Sequence, residues 1–189
     1  MTSSDGPYGL GDRFGPFVLE AYLGSGTLKS VYKARNENPD KIPAAVAIGF
    51  PHHQDQDEIA GLVEEHAVLS RFDHPNVLRV YAIEQYDGVT FLVMEYVPGE
   101  TLRSRSRKRG SLPQDEALRY VGLVCEALSY AHAAHVLHRD VRPENVLLTA
   151  DGTPWLMDFG VARILARAGQ KATPGIGTVE YMAPEQMQG

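Results

Sequence analysis

The chain has 189 residues, of which 43% are hydrophobic and 22% charged, as in a soluble globular protein with one large domain or two small lobes. Its formal net charge is −6, and its only long basic cluster lies at residues 103–109, which excludes nucleic acid as an expected partner. The single cysteine, Cys125, excludes an internal disulfide and favours a reduced cytoplasmic setting, where we expect a buried, inert thiol.

Residues 1–15 are polar and contain several glycines, and we predict a disordered leader there. This stretch has neither the basic segment nor the apolar segment of a signal peptide. No apolar run in the chain reaches the length of a membrane span, so we expect no membrane segment within it. A membrane anchor beyond Gly189 stays open from the sequence.

Residues 16–96 contain mainly apolar runs of strand length and predict a small antiparallel β lobe. The predicted strands cover residues 17–23, 31–35, 44–50, 77–86 and 89–96. A glycine-rich turn joins the first two strands, and Asp87-Gly88 forms a tight turn between the last two. Apolar residues at helical spacing predict one amphipathic helix over residues 57–72.

Residues 97–189 change to a helical composition and predict a large, mainly helical lobe. Thr101 is the predicted N-cap of a short basic helix that ends at Gly110. Its charges are expected to form a solvated face, with a docking patch as the alternative. Pro113 opens a longer helix. The apolar stripe of that helix comprises Ala117, Leu118, Val121, Val124, Leu128 and Ala131. Short strands are predicted near residues 136–137, 146–148 and 155–157, and a mobile loop is predicted over residues 160–180.

Four sequence motifs follow one another along the chain and contain most of the candidate functional residues. They are a glycine-rich loop from Gly24, H-R-D-x-x-x-x-N over residues 138–145, D-F-G over residues 158–160 and A-P-E over residues 183–185. From about residue 17 to residue 186, the set resembles a eukaryotic-type (Hanks-type) Ser/Thr protein kinase of the sort common in bacteria. The resemblance implies an α+β, bilobal kinase-like fold, whose large lobe is incomplete because the chain ends soon after A-P-E.

The resemblance also implies an activity and its catalytic residues. A kinase of this kind transfers the ATP γ-phosphoryl group to protein Ser/Thr hydroxyls, with Mg²⁺ (or Mn²⁺) as the metal. Asp140 then accepts the proton of the substrate hydroxyl, and Asn145 and Asp158 hold the metal through oxygen ligands. Arg142 stands where such kinases carry a lysine that contacts the γ-phosphate. Protein substrates are the implied partners, together with self-association for autophosphorylation.

The nucleotide site is implied by position in the same way. Gly24 and Gly26 let the backbone approach the triphosphate without a clash of side chains. The residues that match the nucleotide-binding positions of kinases are Gly24, Ser25, Gly26, Val31, Ala47, Met94, Glu95, Val97 and Leu147.

One residue departs from the family pattern. The third strand reads Val-Ala-Ile-Gly, with Gly49 where kinases carry a lysine. Glu65 matches the helix glutamate that pairs with this lysine, and a buried carboxylate needs a partner. Lys29 shares a strand face with Val31, so it points towards the phosphates. We hypothesise that Lys29 supplies the missing charge, an arrangement similar to that of the with-no-lysine (WNK) kinases.

Other functions remain open from the sequence. If Lys29 faces solvent, the chain is a nucleotide-binding pseudokinase that acts as a scaffold or allosteric regulator. A small-molecule phosphotransferase shares the H-R-D core, although residues 181–185 favour protein substrates.

Thr173 is a hypothetical phosphorylation site, and Arg139 would pair with the phosphate charge. Because the chain ends soon after A-P-E, we also expect exposed apolar surface, poor stability and weak activity of this segment alone.

Overall fold

The computed structural model describes residues 6–25, 30–38, 45–50, 70–159 and 179–187, with residues 45–50 through their backbone. The chain divides into two compact units. One comprises Met1–Ser70 and Arg79–Tyr96, and the other comprises Arg71–Leu78 and Val97–Gly189. An antiparallel sheet dominates the first unit, whereas the helices of the described residues belong to the second. The predicted α+β class with a β-rich lobe and a helical lobe is confirmed.

The first unit is built on a six-stranded antiparallel sheet with the order β1-β2-β3-β4-β6-β5. Its strands are β1 (Arg13–Phe14), β2 (Phe17–Ser25), β3 (Ser30–Asn36), β4 (Ala45–Phe50), β5 (Val80–Tyr86) and β6 (Val89–Glu95). Asp87 and Gly88 both have positive φ, 49° and 75°, as a tight hairpin turn requires. The five predicted strands are thus confirmed, although β5 begins at Val80 rather than at residue 77. Residues 57–69 of the predicted helix lie outside the described residues.

The hydrophobic core of this unit lies on one face of the sheet. It comprises Phe14, Phe17, Leu19, Tyr32, Ala34, Phe91 and Val93. The Phe91 ring meets the Phe14 and Phe17 rings edge to face, with centroids 5.6 and 6.2 Å apart. Alternate residues of β3 are buried, beginning with Ser30. Val31 therefore projects from the opposite face, as the two-residue period of a strand predicts.

The leader differs from its prediction, because residues 6–14 pack against the sheet. The Tyr8 amide donates to the Tyr32 hydroxyl at 3.0 Å, and that hydroxyl donates back to the Tyr8 carbonyl at 3.3 Å. The Tyr8 ring also packs edge to face on Phe14, with centroids 4.8 Å apart. Burial raises the pKa of Tyr32, so its hydroxyl stays protonated at neutral pH and can donate. Two aromatic residues thus give this polar stretch enough apolar surface to dock.

Among the described residues, the second unit combines a three-stranded antiparallel sheet, two helices and three short 3₁₀ turns. The strands are β7 (Glu100–Thr101), β8 (Val146–Leu148) and β9 (Pro154–Leu156), the helices are α1 (Leu102–Arg109) and α2 (Gln114–Ala133), and the turns are Pro143–Asn145, Val179–Tyr181 and Pro184–Met187. Thr101 caps α1 as predicted, since its hydroxyl accepts from the Ser104 amide at 3.1 Å.

Residues 136–137, where the sequence predicts a short strand, form no strand. Neither described helix combines the length and apolarity that crossing a bilayer requires.

Residues 71–78 join the second unit, although the sequence assigns them to the small lobe. The Asn76 side chain donates to the Pro154 carbonyl at 2.8 Å, and the Asn76 carbonyl accepts from the Leu156 amide at 2.8 Å. The Phe72 ring packs edge to face on Tyr130, with centroids 5.4 Å apart. Backbone pairing with β9 and aromatic contact with α2 therefore fix this segment.

Helix α2 buries only part of the predicted stripe. Its buried residues are Tyr120, Ala127 and Ala131, of which Ala131 belongs to the stripe, and three more stripe residues are half-buried, Ala117, Val124 and Leu128. Leu118 and Val121 are each 60% exposed. Tyr120 lies outside the stripe and is buried with its hydroxyl bonded to charged groups. Cys125 is exposed, so its predicted burial is wrong.

Those charged groups include a buried arginine on α1. Arg105 is only 7% exposed, whereas the sequence places the charges of α1 in solvent. Its Nη1 donates to the Tyr120 hydroxyl at 2.9 Å, and its Nε donates to Glu100 at 3.3 Å. The Tyr120 hydroxyl in turn donates to Glu116. Arg105 thus stabilises the contact between the two helices through paired, hydrogen-bonded charge.

Replacing Tyr32 by Phe tests the docking of the leader. The change removes both hydrogen bonds to Tyr8 and keeps the ring in the core, so we expect a loss of about 1 kcal/mol in the free energy of unfolding. Faster proteolysis within residues 6–12 should accompany the loss. Tyr86→Phe is the matched control, because Tyr86 is 45% exposed. Equal unfolding free energies and cleavage rates for the two variants would show that the leader is not held by Tyr32.

Candidate functional site

Asp140 and Asn145 form the centre of the candidate site in the second unit. The Asn145 amide nitrogen donates to both the backbone carbonyl and the carboxylate Oδ2 of Asp140, each at 2.8 Å. The 3₁₀ turn Pro143–Asn145 positions the donor, and the Asn145 backbone amide donates to the Arg142 carbonyl at 2.9 Å. Both hydrogens of the side-chain amide are thus engaged, which fixes its orientation. The remaining amide oxygen is then the atom that can ligate a cation.

Asp158 lies two residues after the end of β9, the strand that pairs with β8. Val146 pairs with Leu156 across β8 and β9, and the Met157 amide donates to the Asn145 carbonyl at 2.9 Å. Asp158 is the next residue in the chain, with a φ of 66° that is unusual for a residue other than glycine. The pairing brings a carboxylate and an amide oxygen to neighbouring positions. These are the ligand types that Mg²⁺ prefers, so the residues fit the predicted metal.

His138 supports this centre from the interior. It is 2% exposed, and its ring packs against Phe159 with centroids 4.5 Å apart. Its Nδ1 accepts from the Asp140 amide at 3.2 Å, which leaves Nε2 to donate to the Met157 carbonyl at 2.9 Å. Burial lowers the pKa of His138, so the ring is neutral at physiological pH. One imidazole therefore joins the Asp140 segment to the Asp158 segment.

A chain of charged side chains extends from Asp140 to helix α1. Arg142 Nε lies 3.9 Å from Asp140 Oδ2 and 3.5 Å from Glu144 Oε2. The other carboxylate oxygen of Glu144 lies 3.4 Å from Arg103 Nε. The structure thus brings together four of the predicted site residues, Asp140, Arg142, Asn145 and Asp158, and adds two residues that the motifs do not mark.

The remaining predicted site residues are divided between the units. Gly24 and Ser25 pair with Val31 and Ser30 in the hairpin of β2 and β3, and Gly24 has a φ of 148°, which favours glycine. Met94 is buried on β6, and the Glu95 amide next to it donates to the Arg79 carbonyl at 2.9 Å. Val97 and the half-buried Leu147 belong to the second unit. Gly26, Lys29, Glu65 and Thr173 lie outside the described residues, as do residues 160–178 of the predicted loop.

The strand that lacks the usual lysine is present in the sheet. In β4, Gly49 pairs with Ser30 of β3 and Phe91 of β6, and Ala47 lies two residues earlier in the same strand. Lys33 of β3, which shares a strand face with Val31, is engaged elsewhere. Its Nζ lies 3.3 Å from Glu20 Oε2 and 5.4 Å from the centroid of the Tyr96 ring. Gly49 therefore lies beside Ser30, the residue that follows Lys29 in the sequence.

A comparison with protein-family profiles matches residues 17–189 to the family described as "Protein kinase domain". The chain belongs to this protein kinase family. The resemblance drawn from the four motifs is thereby confirmed, and the bilobal description of the fold agrees with it.

Relatives and solved structures of the kinase family agree with this assignment. The chain is 33% identical over 188 residues to the serine/threonine-protein kinase PknD of Mycobacterium tuberculosis, with 98% of this chain and 28% of PknD covered. It is 31% identical over 176 residues to the serine/threonine-protein kinase PrkC of Bacillus subtilis, with 93% of this chain and 27% of PrkC covered. The chain thus spans less than a third of the length of these relatives.

The crystal structure of the Mycobacterium tuberculosis PknI kinase domain is a structural neighbour. It superposes with a TM-score of 0.72 at 30% identity and covers 82% of this chain and 63% of the PknI chain. The described residues therefore adopt the protein kinase fold.

Two contacts of the kinase site escaped the motif analysis. The Gln186 side chain donates to the Arg139 carbonyl at 2.9 Å, and Glu144 bridges Arg103 and Arg142. Gln186 directly succeeds A-P-E, and Glu144 lies inside the H-R-D-x-x-x-x-N motif. Their positions beside known motifs are the only sequence signal that could have indicated them.

Replacing His138 by Phe tests the connection between the two segments. The new ring keeps the packing against Phe159 but leaves the Asp140 amide and the Met157 carbonyl without partners. We expect a loss of about 2 to 4 kcal/mol in the free energy of unfolding at pH 7.5, because each buried unpaired group costs about 1 to 3 kcal/mol. Urea denaturation of the variant and the parent measures the loss.

The same pair of proteins tests the pKa of His138. Its pKa in the folded state is lower than its ordinary value, so its contribution is present above the unfolded-state pKa and is lost as the pH falls through the folded-state pKa. The stability difference between parent and variant should therefore shrink from pH 7.5 to pH 5. If the difference in unfolding free energy between parent and variant grew on acidification, the folded state would instead be stabilised by the protonated form of the ring.

Proposed function

We propose that this chain is a Ser/Thr protein kinase domain that transfers the γ-phosphoryl group of ATP to serine or threonine hydroxyls of proteins. The observation that carries the proposal is the fixed carboxylate of Asp140, held at 2.8 Å by Asn145 within a chain of the kinase family. The names of PknD and PrkC, both called serine/threonine-protein kinases, support the same reaction. A cytoplasmic location and self-association for autophosphorylation are part of the proposal.

Asp140 acts on the substrate hydroxyl in this proposal. Its carboxylate accepts the hydroxyl proton and directs the oxygen towards phosphorus, and Asn145 prevents the carboxylate from rotating. Asn145 and Asp158 would hold Mg²⁺, which would supply neutralisation of charge on the phosphate oxygens. Arg142 stabilises the negative charge that develops on the transferred group. Catalysis then depends on orientation and charge, with no covalent intermediate on the protein.

Lys29 is proposed to supply the cation that Gly49 lacks. Two observations support this assignment. Ser30, the residue directly after Lys29, is the cross-strand partner of Gly49, and such partners lie about 5 Å apart. Lys33 is paired with Glu20. An ammonium group from position 29 would then bind the phosphates and pair with Glu65.

Replacing Asp140 by Asn tests the reaction. The amide cannot accept the hydroxyl proton, so kcat for protein phosphorylation should fall by about 10² to 10⁴. ATP binding should persist, because Asp140 acts on the hydroxyl. Asp151→Asn is the matched control, since Asp151 is an exposed turn residue that bonds Thr149 and Thr153. Radiolabel transfer from γ-labelled ATP measures the rate, and full activity of the Asp140 variant would reject the proposed function.

Moving the lysine tests the role of Lys29. We expect Lys29→Met to reduce kcat by about 10² to 10³, because one charge that stabilises the phosphates is lost. Adding Gly49→Lys to that variant should restore part of the activity. Lys33→Met is the control and should stay near the parent rate. If the double variant regains nothing although both variants fold and bind ATP, the rescue hypothesis is wrong.

A nucleotide-binding pseudokinase is the second candidate, and Gly49 is the observation that favours it. A scaffold of this kind would bind ATP without transferring phosphate. The parent protein would then show no labelling of itself or of protein substrates, and Lys29→Met would bind ATP as the parent does. Equilibrium binding of a fluorescent ATP analogue alongside the labelling assay separates the two functions.

A further inference from the structure

The side chains between Asp140 and helix α1 alternate in charge. Glu144 lies between Arg103 and Arg142, and each of its two oxygens faces one of these arginines, at 3.4 and 3.5 Å. Arg142 also lies 3.9 Å from Asp140. The two arginines and the two carboxylates balance, so a net positive charge at this edge has to come from the helix itself.

Helix α1 adds positive charge beyond this balanced cluster. Its eight residues, Leu102–Arg109, contain no acidic side chain. Arg103 and Arg107 lie four residues apart and so share one face of the helix. The Arg103 side chain is 40% exposed and Arg107 is also exposed.

The other basic residues of α1 divide between the interior and a different face. Arg105 turns inward to Glu100, Glu116 and Tyr120, and Lys108 pairs with Glu100 at 2.9 Å. Arg109 lies six residues after Arg103, which places it on another side of the helix. The stripe formed by Arg103 and Arg107 is therefore distinct, in a chain whose formal net charge is −6.

We propose that this stripe binds acidic side chains of the protein substrate, so that the site selects serine or threonine residues with aspartate or glutamate nearby. The inference rests on the proposed kinase function, because it places the acceptor hydroxyl at Asp140. Charge complementarity identifies the occupant as an acidic polypeptide segment. A guanidinium offers a carboxylate two parallel donors, which gives direction as well as charge to the contact.

Three peptides test the preference with the full chain as the enzyme. They share one serine and differ only in flanking residues, which are aspartate and glutamate, asparagine and glutamine, or lysine. We expect kcat/KM for the acidic peptide to exceed that for the neutral peptide by about three- to tenfold, as expected for one or two partly exposed ion pairs. Added salt should reduce the ratio, because these pairs are screened.

Charge reversal identifies the residues responsible. Arg103→Glu should abolish the acidic preference and raise the rate with the lysine peptide relative to the neutral one. Arg109→Glu changes the net charge equally on another side of α1 and should leave the preference intact. Thermal unfolding of both variants confirms that each is folded, and the ratio of rates between peptides cancels any general loss of activity.

The outcomes separate this inference from the kinase proposal. Phosphorylation of all three peptides at equal kcat/KM overturns the acidic preference and leaves the kinase function standing. A preference that survives Arg103→Glu, or that disappears equally in Arg109→Glu, rejects the stripe as its source. Failure of the parent protein to phosphorylate any peptide or itself rejects the proposed function, and the inference falls with it.

Discussion

The side-chain amide of Asn145 is the contact on which the arrangement of the candidate site depends. This amide donates two hydrogen bonds to Asp140. The backbone carbonyl of Asn145 accepts from the amide of Met157, the residue before Asp158. Hydrogen bonds to a carboxylate are stronger than those between neutral groups, so the amide fixes the acid of the proposed reaction. His138 repeats the connection from the interior with its two ring nitrogens. Asn145 and His138 therefore each connect the same two segments, Asn145 through its side chain and its backbone carbonyl.

The first unit presents a different constraint, which comes from the backbone. Antiparallel pairing places Gly49 beside Ser30, so a residue without a side chain lies next to the start of β3. The leader contacts the core-facing side of β3, on which Ser30 also lies, through Tyr8 and Tyr32. The hairpin that carries Gly24 is thus held by the sheet on its edges and by the leader on one face. A cation introduced from position 29 would act within a hairpin of defined register.

Much of the fold and of the site was predictable because local signals agreed with tertiary structure. The turn at Asp87-Gly88, the cap at Thr101 and the order of the four motifs each depend on a few residues close in the chain. The stripe of α2 was predicted in part: Leu118 and Val121 are exposed, and Tyr120 is buried through a hydroxyl bond to Arg105, which lies 15 residues earlier. The bridge from Arg103 to Glu144 joins residues far apart in the chain, so no local pattern could reveal it. The docked leader likewise depends on Tyr32, which is distant in sequence from Tyr8.

Arg139 and Asp158 both have a φ of 66°, although neither is a glycine. A left-handed backbone costs such residues on the order of 1 to 3 kcal/mol, and the hydrogen bonds around them must offset that cost. Glycine would relax the backbone at either position but would remove the charged group. Local opening of this region releases that strain, which lowers the free energy that the opening requires. Two residues of the motifs that carry the proposed chemistry thus lie at strained backbone positions.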